Sequence, residues 1–431
     1  MSTLVQRTFV QRFFPLITGL GYFVFTFLVF KFGPWEWGEE NFNQNVLVFF
    51  IAVALVLGFF AGQIPLAHAG KEKDIAYLLH LYSFSLCLMI VMSFFLLFSR
   101  TGGQMNLLWK GLTDPGYAYS QSRENVVESA NFFAGLCEYF NILVSPVTIL
   151  WLSLGIRLWK DLSRFKKIGY FFGMFFYIMP YIATGTNKGL FDLFFWIFWI
   201  WLALHPEKIN RKILFRGKIL VVVAVVAVIC FSFFSIGVKG RYGGEIPFYN
   251  ARAMIAYNTE YPVLKDLPKS MQEGVSAGLF YITQGYKGMS LCMDYEWVPM
   301  FGIGHSRFYT WLIGEKILQQ TNMHKEGYCF RLAQRGYWDD SVLWSTIFPW
   351  LANDVSFWGI PVVMFFFSFF LALAWRDIII ARNKEVLYLF PIMMSIFFTL
   401  NMNNYIFQTA DTAFSSTILF GYWLLNRCHH A

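Results

Sequence analysis

The sequence predicts an all-α polytopic integral membrane protein with about ten transmembrane helices and a long, partly helical extracytoplasmic loop. Three observations carry this expectation. The 431 residues are 57% hydrophobic and 21% aromatic but only 14% charged, where a soluble domain carries about 25% charge. Apolar runs of membrane-crossing length recur along most of the chain, and they are continuous rather than alternating, which excludes a β-barrel. Lys and Arg gather in every second connection between those runs.

A crossing helix needs about 20 mostly apolar residues. On that criterion the candidate spans are 13–32, 45–64, 75–98, 131–156, 168–184, 189–204, 219–237, 355–374, 386–402 and 410–425. The first run, from Phe13, is too long for the apolar core of a signal peptide and has no small-residue cleavage site, so it is expected to stay as a helix. Residues 1–237 then form an N-terminal bundle of about seven spans, 238–354 a large loop, and 355–431 a C-terminal bundle of about three. No internal repeat is visible, which weighs against an inverted-repeat transporter.

Sidedness follows from the short loops. With Arg7 and Arg12 inside, so are Lys71 and Lys73, the five cations from Arg157 to Lys167, the five from Lys208 to Lys218, then Arg376, Arg382, Lys384 and Arg427. These are eighteen of the 34 Lys and Arg residues. The short outer loops hold Lys31, Arg100, Lys110, Arg123 and Lys188, and an even span number returns the C-terminus to the cytoplasm. The formal charge of +8 and the pI of about 9.0 therefore need no nucleic-acid partner. Six cysteines without paired Cys/His spacing give no zinc site, although Cys292 and Cys329 could pair as a disulfide in an extracytoplasmic loop.

Long loops escape the charge rule, and structureless ones this long are uncommon and usually functional. Residues 276–293 read as a helix lying at the interface, its apolar face broken by Gln284 and Lys287, and 341–354 as a second such helix or a re-entrant segment. On the same expected side, TGTNKG (184–189) joins two apolar runs. Its glycines let the backbone turn and expose amides at a helix start, where an anion binds and Lys188 adds charge. Lys188 also stands four residues before Asp192, so an ordinary ion pair is equally open.

GVKGRYGG (237–244) puts Arg241 just beyond the seventh run, as a fork for phosphate or a headgroup anchor. FGIGHSRFYTW (301–311) carries His305, a candidate general base, and Arg307, although a lone loop histidine is commonly inert. In RLAQRGYWDDSVLWSTIFPWLANDVSFWG (331–359), Arg331 and Arg335 precede Asp339 and Asp340, which could cap a helix at 341. Asp354 follows at a span mouth, where an ionisable group has a function or a partner. Glu138 and Asp411 are expected to pair with neighbouring helices. P-loop, GxSxG, HExxH and dinucleotide patterns are lacking.

In these residues the chain resembles the Wzy-type O-antigen, or oligosaccharide repeat-unit, polymerases, which group with the O-antigen ligases as lipid-linked glycosyltransferases of bacterial envelopes. TGTNKG is similar to that family's small-residue, Gly, Ser/Thr, Arg turn, with Asn187 and Lys188 where an arginine is commoner. GVKGRYGG is similar to its arginine after the preceding span, and GIGHSRFYTW to its Gly/His/Ser stretch. WSTIFPWLANDVSFWG looks like its aromatic helix followed by Asp and then Gly.

The resemblance implies a metal-independent polymerase of the bacterial cytoplasmic membrane that needs no cofactor. Its donor and acceptor are undecaprenyl-pyrophosphate-linked oligosaccharides, and its other partners are membrane lipids and a chain-length regulator. Lys188, Arg241, Arg335 and Arg307 would stabilise the departing pyrophosphate. His305 would deprotonate the acceptor hydroxyl, with Asp339 or Asp354 as substitutes. The rival readings are an O-antigen ligase, a transporter and a structural subunit. Sidedness is directly testable. In a cysteine-free background, Lys265→Cys should react with a membrane-impermeant maleimide on intact cells. Lys160→Cys should react only after permeabilisation; the opposite pattern would end the outward-site reading.

Overall fold

A computed structural model describes residues 7–38, 41–70, 73–128, 132–209, 238–239, 247–320, 322–336, 338 and 342–428. The chain is predominantly helical. The helices are α1 (Phe9–Phe32), α2 (Phe42–Ala61), α3 (Ile75–Thr101), α4 (Asn106–Thr113), α5 (Pro115–Glu128), α6 (Phe132–Val144), α7 (Pro146–Arg157), α8 (Arg164–Ala183) and α9 (Lys188–Leu204). There follow α10 (Lys269–Cys292), α11 (Arg307–Tyr309), α12 (Tyr328–Gln334), α13 (Ile347–Ile379), α14 (Phe390–Phe398) and α15 (Ala410–Cys428). A small hairpin pairs β1 (Tyr249–Asn250) antiparallel to β2 (Ile255–Ala256).

Local chemistry marks the helix ends. Thr8 and Gln11 form a reciprocal capping box at the start of α1, and Asn41, Ser163 and Thr346 accept backbone N–H groups at the starts of α2, α8 and α13. Gly102 closes α3 at φ +59°, a left-handed conformation that glycine adopts without strain.

Among the described residues, α1, α2, α3 and α13 are long and apolar enough to cross a membrane. The pair α6 and α7, bent by 46°, would make a fifth crossing. Several such helices make this a membrane-embedded protein. The expected spans at 168–184, 189–204, 386–402 and 410–425 coincide with α8, α9, α14 and α15, which fall short of the same criterion in length or hydropathy. The expected span at 219–237 lies outside the described residues.

α2 and α13 pack closely because glycines remove the side chains between them. A Cβ at Gly58 would lie 2.1 Å from the Phe365 carbonyl oxygen, and one at Gly62 2.4 Å from that of Phe369. This GxxxG face supplies the close backbone approach that stabilises helix pairs in lipid.

At one end of the bundle several of the basic residues expected on the inner side converge. Arg7 donates to the Ile379 carbonyl, Arg12 to Gln63 and Lys73 to Glu385, while Arg427 grips Asp377. Asp377 is fully buried and also accepts from the His68 amide and the Trp423 indole.

The opposite end carries the long segment between the crossing helices. Its main helix, α10, departs from the expected interfacial position. Tyr286 is completely buried and bonds Thr26 and the Phe23 carbonyl of α1, while Gln44 of α2 donates to the Tyr286 carbonyl. Gln284 is buried as well. Glycine explains the insertion: a Cβ at Gly285 would sit 2.3 Å from the Asn401 carbonyl oxygen. Cys292 and Cys329 meet in side-chain contact as buried free thiols rather than a disulfide.

The helix expected from 341 begins at Ile347 and breaks at Ser356 (φ 62°, ψ 167°) before running on. The expected span at 386–402 is the nine-residue α14, followed by coil to α15. Coil is tolerated at such a position where protein surrounds it. Gly58→Leu is expected to abolish monodisperse protein in fluorescence size-exclusion chromatography, because a backbone carbonyl cannot yield. Gly21→Leu, with nothing within 4 Å of its Cβ, should behave as wild type.

Candidate active site

The Asp354 carboxylate organises the end of the molecule carried by the long segment. One oxygen accepts the backbone N–H groups of Gly302 and Gly304, at 2.9 and 2.8 Å. The other accepts the His305 amide at 2.9 Å and the His305 Nδ1 at 3.1 Å. Only a turn that folds back on itself can aim successive amides at one group. Phe301 and Gly302 supply that turn with φ of +51° and +87°. On the facing side the Ser356 break lets α13 deliver Asp354 at the mouth of the crossing helix. That backbone conformation is close to glycine-only and is held by its surroundings.

Neighbouring amides lock the arrangement. Asn353 donates Nδ2 to the Gly304 carbonyl at 2.9 Å and accepts the Tyr328 amide at 2.9 Å. Its own carbonyl accepts the Met300 amide. Asn404 donates to the His305 carbonyl, and the buried Ser306 hydroxyl donates to the Phe407 carbonyl at 2.8 Å. Phe407 meets the imidazole edge to face, with centroids 5.1 Å apart. Tyr309 donates to Thr417 and to the Ala413 carbonyl. Burial raises its phenol above the usual range, so it stays a neutral donor.

The chemistry follows from the tautomer. An ionised carboxylate can only accept, so Nδ1 carries the proton it shares with Asp354, and Nε2 keeps its lone pair. The carboxylate also stabilises the imidazolium formed when Nε2 takes a proton. The pair therefore has the geometry that a general base and its orienting group require. His305 keeps 24% of its side-chain surface exposed and Asp354 9%. Asp354 is thus the more enclosed member of the pair, bonded to the histidine that reaches the surface.

Lys188 belongs to a different network. Its ammonium lies 2.9 Å from Asp192 Oδ2 and 4.3 Å from the centre of the Tyr405 ring. Tyr405 donates its hydroxyl to the other Asp192 oxygen at 2.7 Å. Asp192 is fully buried, so the lysine charge is matched inside the protein. Asp411 interacts electrostatically with Lys188 and Arg100, whose guanidinium stacks 5.1 Å over Tyr181. Glu138 accepts the Ser99 hydroxyl at 2.6 Å. The TGTNKG turn is packed at its glycines. A Cβ at Gly185 would be 2.0 Å from the Pro115 carbonyl oxygen, so α5 lies against the turn at that glycine, while Thr186, Asn187 and Lys188 stay part exposed.

The remaining candidates scatter. Arg307 stacks 5.3 Å over Trp350, two residues from the histidine, and Arg335 stacks 4.6 Å over Tyr295 at the end of α12. Among the described residues, Lys188 and Arg335 therefore contribute to separate networks. Arg241 and Asp339 lie outside the described residues. Sequence reasoning gave no role at a site to Asn353, Asn404, Tyr405 or Arg100. The Asn-rich run 401–404 was the available signal for the second and third, since amides beside apolar helices need partners.

Lys188→Met should lower unfolding stability by about 3 kcal/mol, because it strands a buried carboxylate. Pairing it with Asp192→Leu should recover most of that loss in detergent thermal melts. Equal destabilisation in the single and double variants would remove the ion-pair account. No family model, curated protein or solved structure matches the chain.

Proposed function

We propose that the protein polymerises undecaprenyl-pyrophosphate-linked oligosaccharide repeat units into O-antigen or a related surface polysaccharide. It would do so on the outer face of the bacterial cytoplasmic membrane, as a metal-independent glycosyltransferase. The observation that carries this reading is the His305–Asp354 pair, a general base in the long segment between crossing helices.

His305 Nε2 takes the proton of an acceptor sugar hydroxyl. The hydroxyl oxygen attacks the anomeric carbon of the donor, and the bond from that carbon to the pyrophosphate oxygen breaks. The pyrophosphate leaves on its lipid with the bonding electron pair. Arg307, two residues from the histidine and stacked over Trp350, would face the growing negative charge, and Arg241 is the second candidate by sequence. The ion pair of Lys188 removes it from the first rank of phosphate ligands. The finer topology belongs to the same reading: ten spans, both termini cytoplasmic and the pair outside. Convergence of Arg7, Arg12, Arg376 and Arg427 at the pole away from His305 supports it.

Incubating purified protein with lipid-linked repeat units alone should yield a ladder of longer lipid-linked chains. His305→Ala should lower the rate by about 10²–10⁴-fold, the usual contribution of a general base. Arg307→Ala should lose product while the protein still inserts. Product only when lipid A core is added would replace the polymerase with a ligase. Unchanged activity in His305→Ala would remove the pair from the mechanism.

A further inference from the structure

Beside the pair, the chain lays out aromatic rings in a way that packing does not require. The segment DYEWVPMFG (294–302) alternates Asp294, Tyr295, Glu296 and Trp297 before reaching Phe301. Trp297 is 46% exposed and Phe301 84% exposed. Neither is a loose surface residue. The Trp297 indole N–H donates to the Asn353 carbonyl at 3.2 Å, next to Asp354 in the chain. Phe301 is held at φ +51° immediately before the Gly302 amide that binds Asp354. A strained backbone that presents an exposed phenyl ring needs a purpose beyond folding. Tyr295 continues the strip, flanked by Arg331 and Arg335 at 5.6 and 4.6 Å from its ring centre.

We propose that Tyr295, Trp297 and Phe301 form a carbohydrate-binding platform that holds the acceptor glycan against His305. This rests on the proposed function for the sugar's role as acceptor, and on geometry alone for the platform. A pyranose ring has an apolar C–H face and a rim of hydroxyls. The exposed rings of Trp297 and Phe301 match the first, and the exposed carboxylates of Asp294 and Glu296, with the guanidinium of Arg335, match the second. Those carboxylates repel a nucleic-acid backbone.

They also argue against a lipid anchor, because an interfacial tryptophan directs its N–H toward headgroups while this one spends it on Asn353. Arg335 accordingly moves from the departing pyrophosphate to the rim of the glycan strip.

The test uses full-length protein in detergent and lipid-free oligosaccharides released by mild acid from the host's own surface polysaccharide. Saturation-transfer NMR should show binding to wild type. Trp297→Ala and Phe301→Ala should each weaken it about tenfold, the scale expected for loss of an aromatic anchor. Trp297→Phe should keep most of the affinity. In the transfer assay, the alanine variants should raise KM for acceptor with little change in kcat.

Saccharide affinity unchanged in both alanine variants would overturn the platform, as would absence of binding to wild type. So would a loss of liposome partitioning in Trp297→Ala with saccharide binding intact, which would make the ring a lipid anchor. Saccharide binding that depends on Trp297, in a protein without transfer activity, would sink the reaction and leave the platform standing.

Discussion

The candidate site depends on one carboxylate. Asp354 accepts three backbone amides and an imidazole N–H from a turn fifty residues earlier in the chain. Hydrogen bonds to an ionised acceptor are roughly twice as strong as neutral ones. Gathering several on one buried group is enough to hold a glycine-rich turn that has little apolar surface of its own. The same bonds choose the histidine tautomer, so the fold of the loop and the proton arrangement of the imidazole are set by a single residue.

The second support is the coil between α14 and α15. In a membrane, backbone that leaves the helix must find partners within the protein. Here Asn401 donates to the Ile282 carbonyl, Asn404 to His305 and Tyr405 to Asp192. One short segment therefore touches α10, the histidine turn and the buried Lys188–Asp192 pair. The ion pair and the histidine turn are thus joined through two adjacent residues, Tyr405 and Asn404. Lys188 thereby acquires a structural reason to be where it is, which a phosphate ligand would not need.

Backbone proximity is the third constraint. Gly58 and Gly62 let α2 lie against α13, and Gly285 lets α10 enter between α1 and the coil after α14. With α13 seated by its neighbours, the break at Ser356 can aim its first turns, and Asp354 with them, at the loop. Close glycine packing in the membrane part and strain at its rim are parts of the same arrangement. The rigid helices supply the leverage that keeps an unfavourable conformation populated.

Much of the fold was legible in the sequence because the lipid solvent imposes simple rules. Long apolar runs must become helices, and α1, α2, α3 and α13 lie where those runs are. Cations resist crossing, and Arg7, Arg12 and Arg427, all assigned to one side, meet at one pole. Composition also isolated the long polar segment, and within it His305 and Asp354 as residues worth weighing. Their partnership was not legible. A carboxylate forty-nine positions away is one of many until three-dimensional packing brings it within 3.1 Å.

The same limit explains the misplaced elements. An amphipathic pattern reports that α10 has an apolar face, and it is silent on whether lipid or other helices cover it. Lys188, read alone, is a charge in search of a phosphate. Buried beside Asp192 and Tyr405, it is a charge already answered. Sequence determined which segments avoid water, since that follows from each side chain by itself. Only the tertiary structure decided which polar groups meet, because hydrogen bonds depend on distance and direction between residues far apart in the chain.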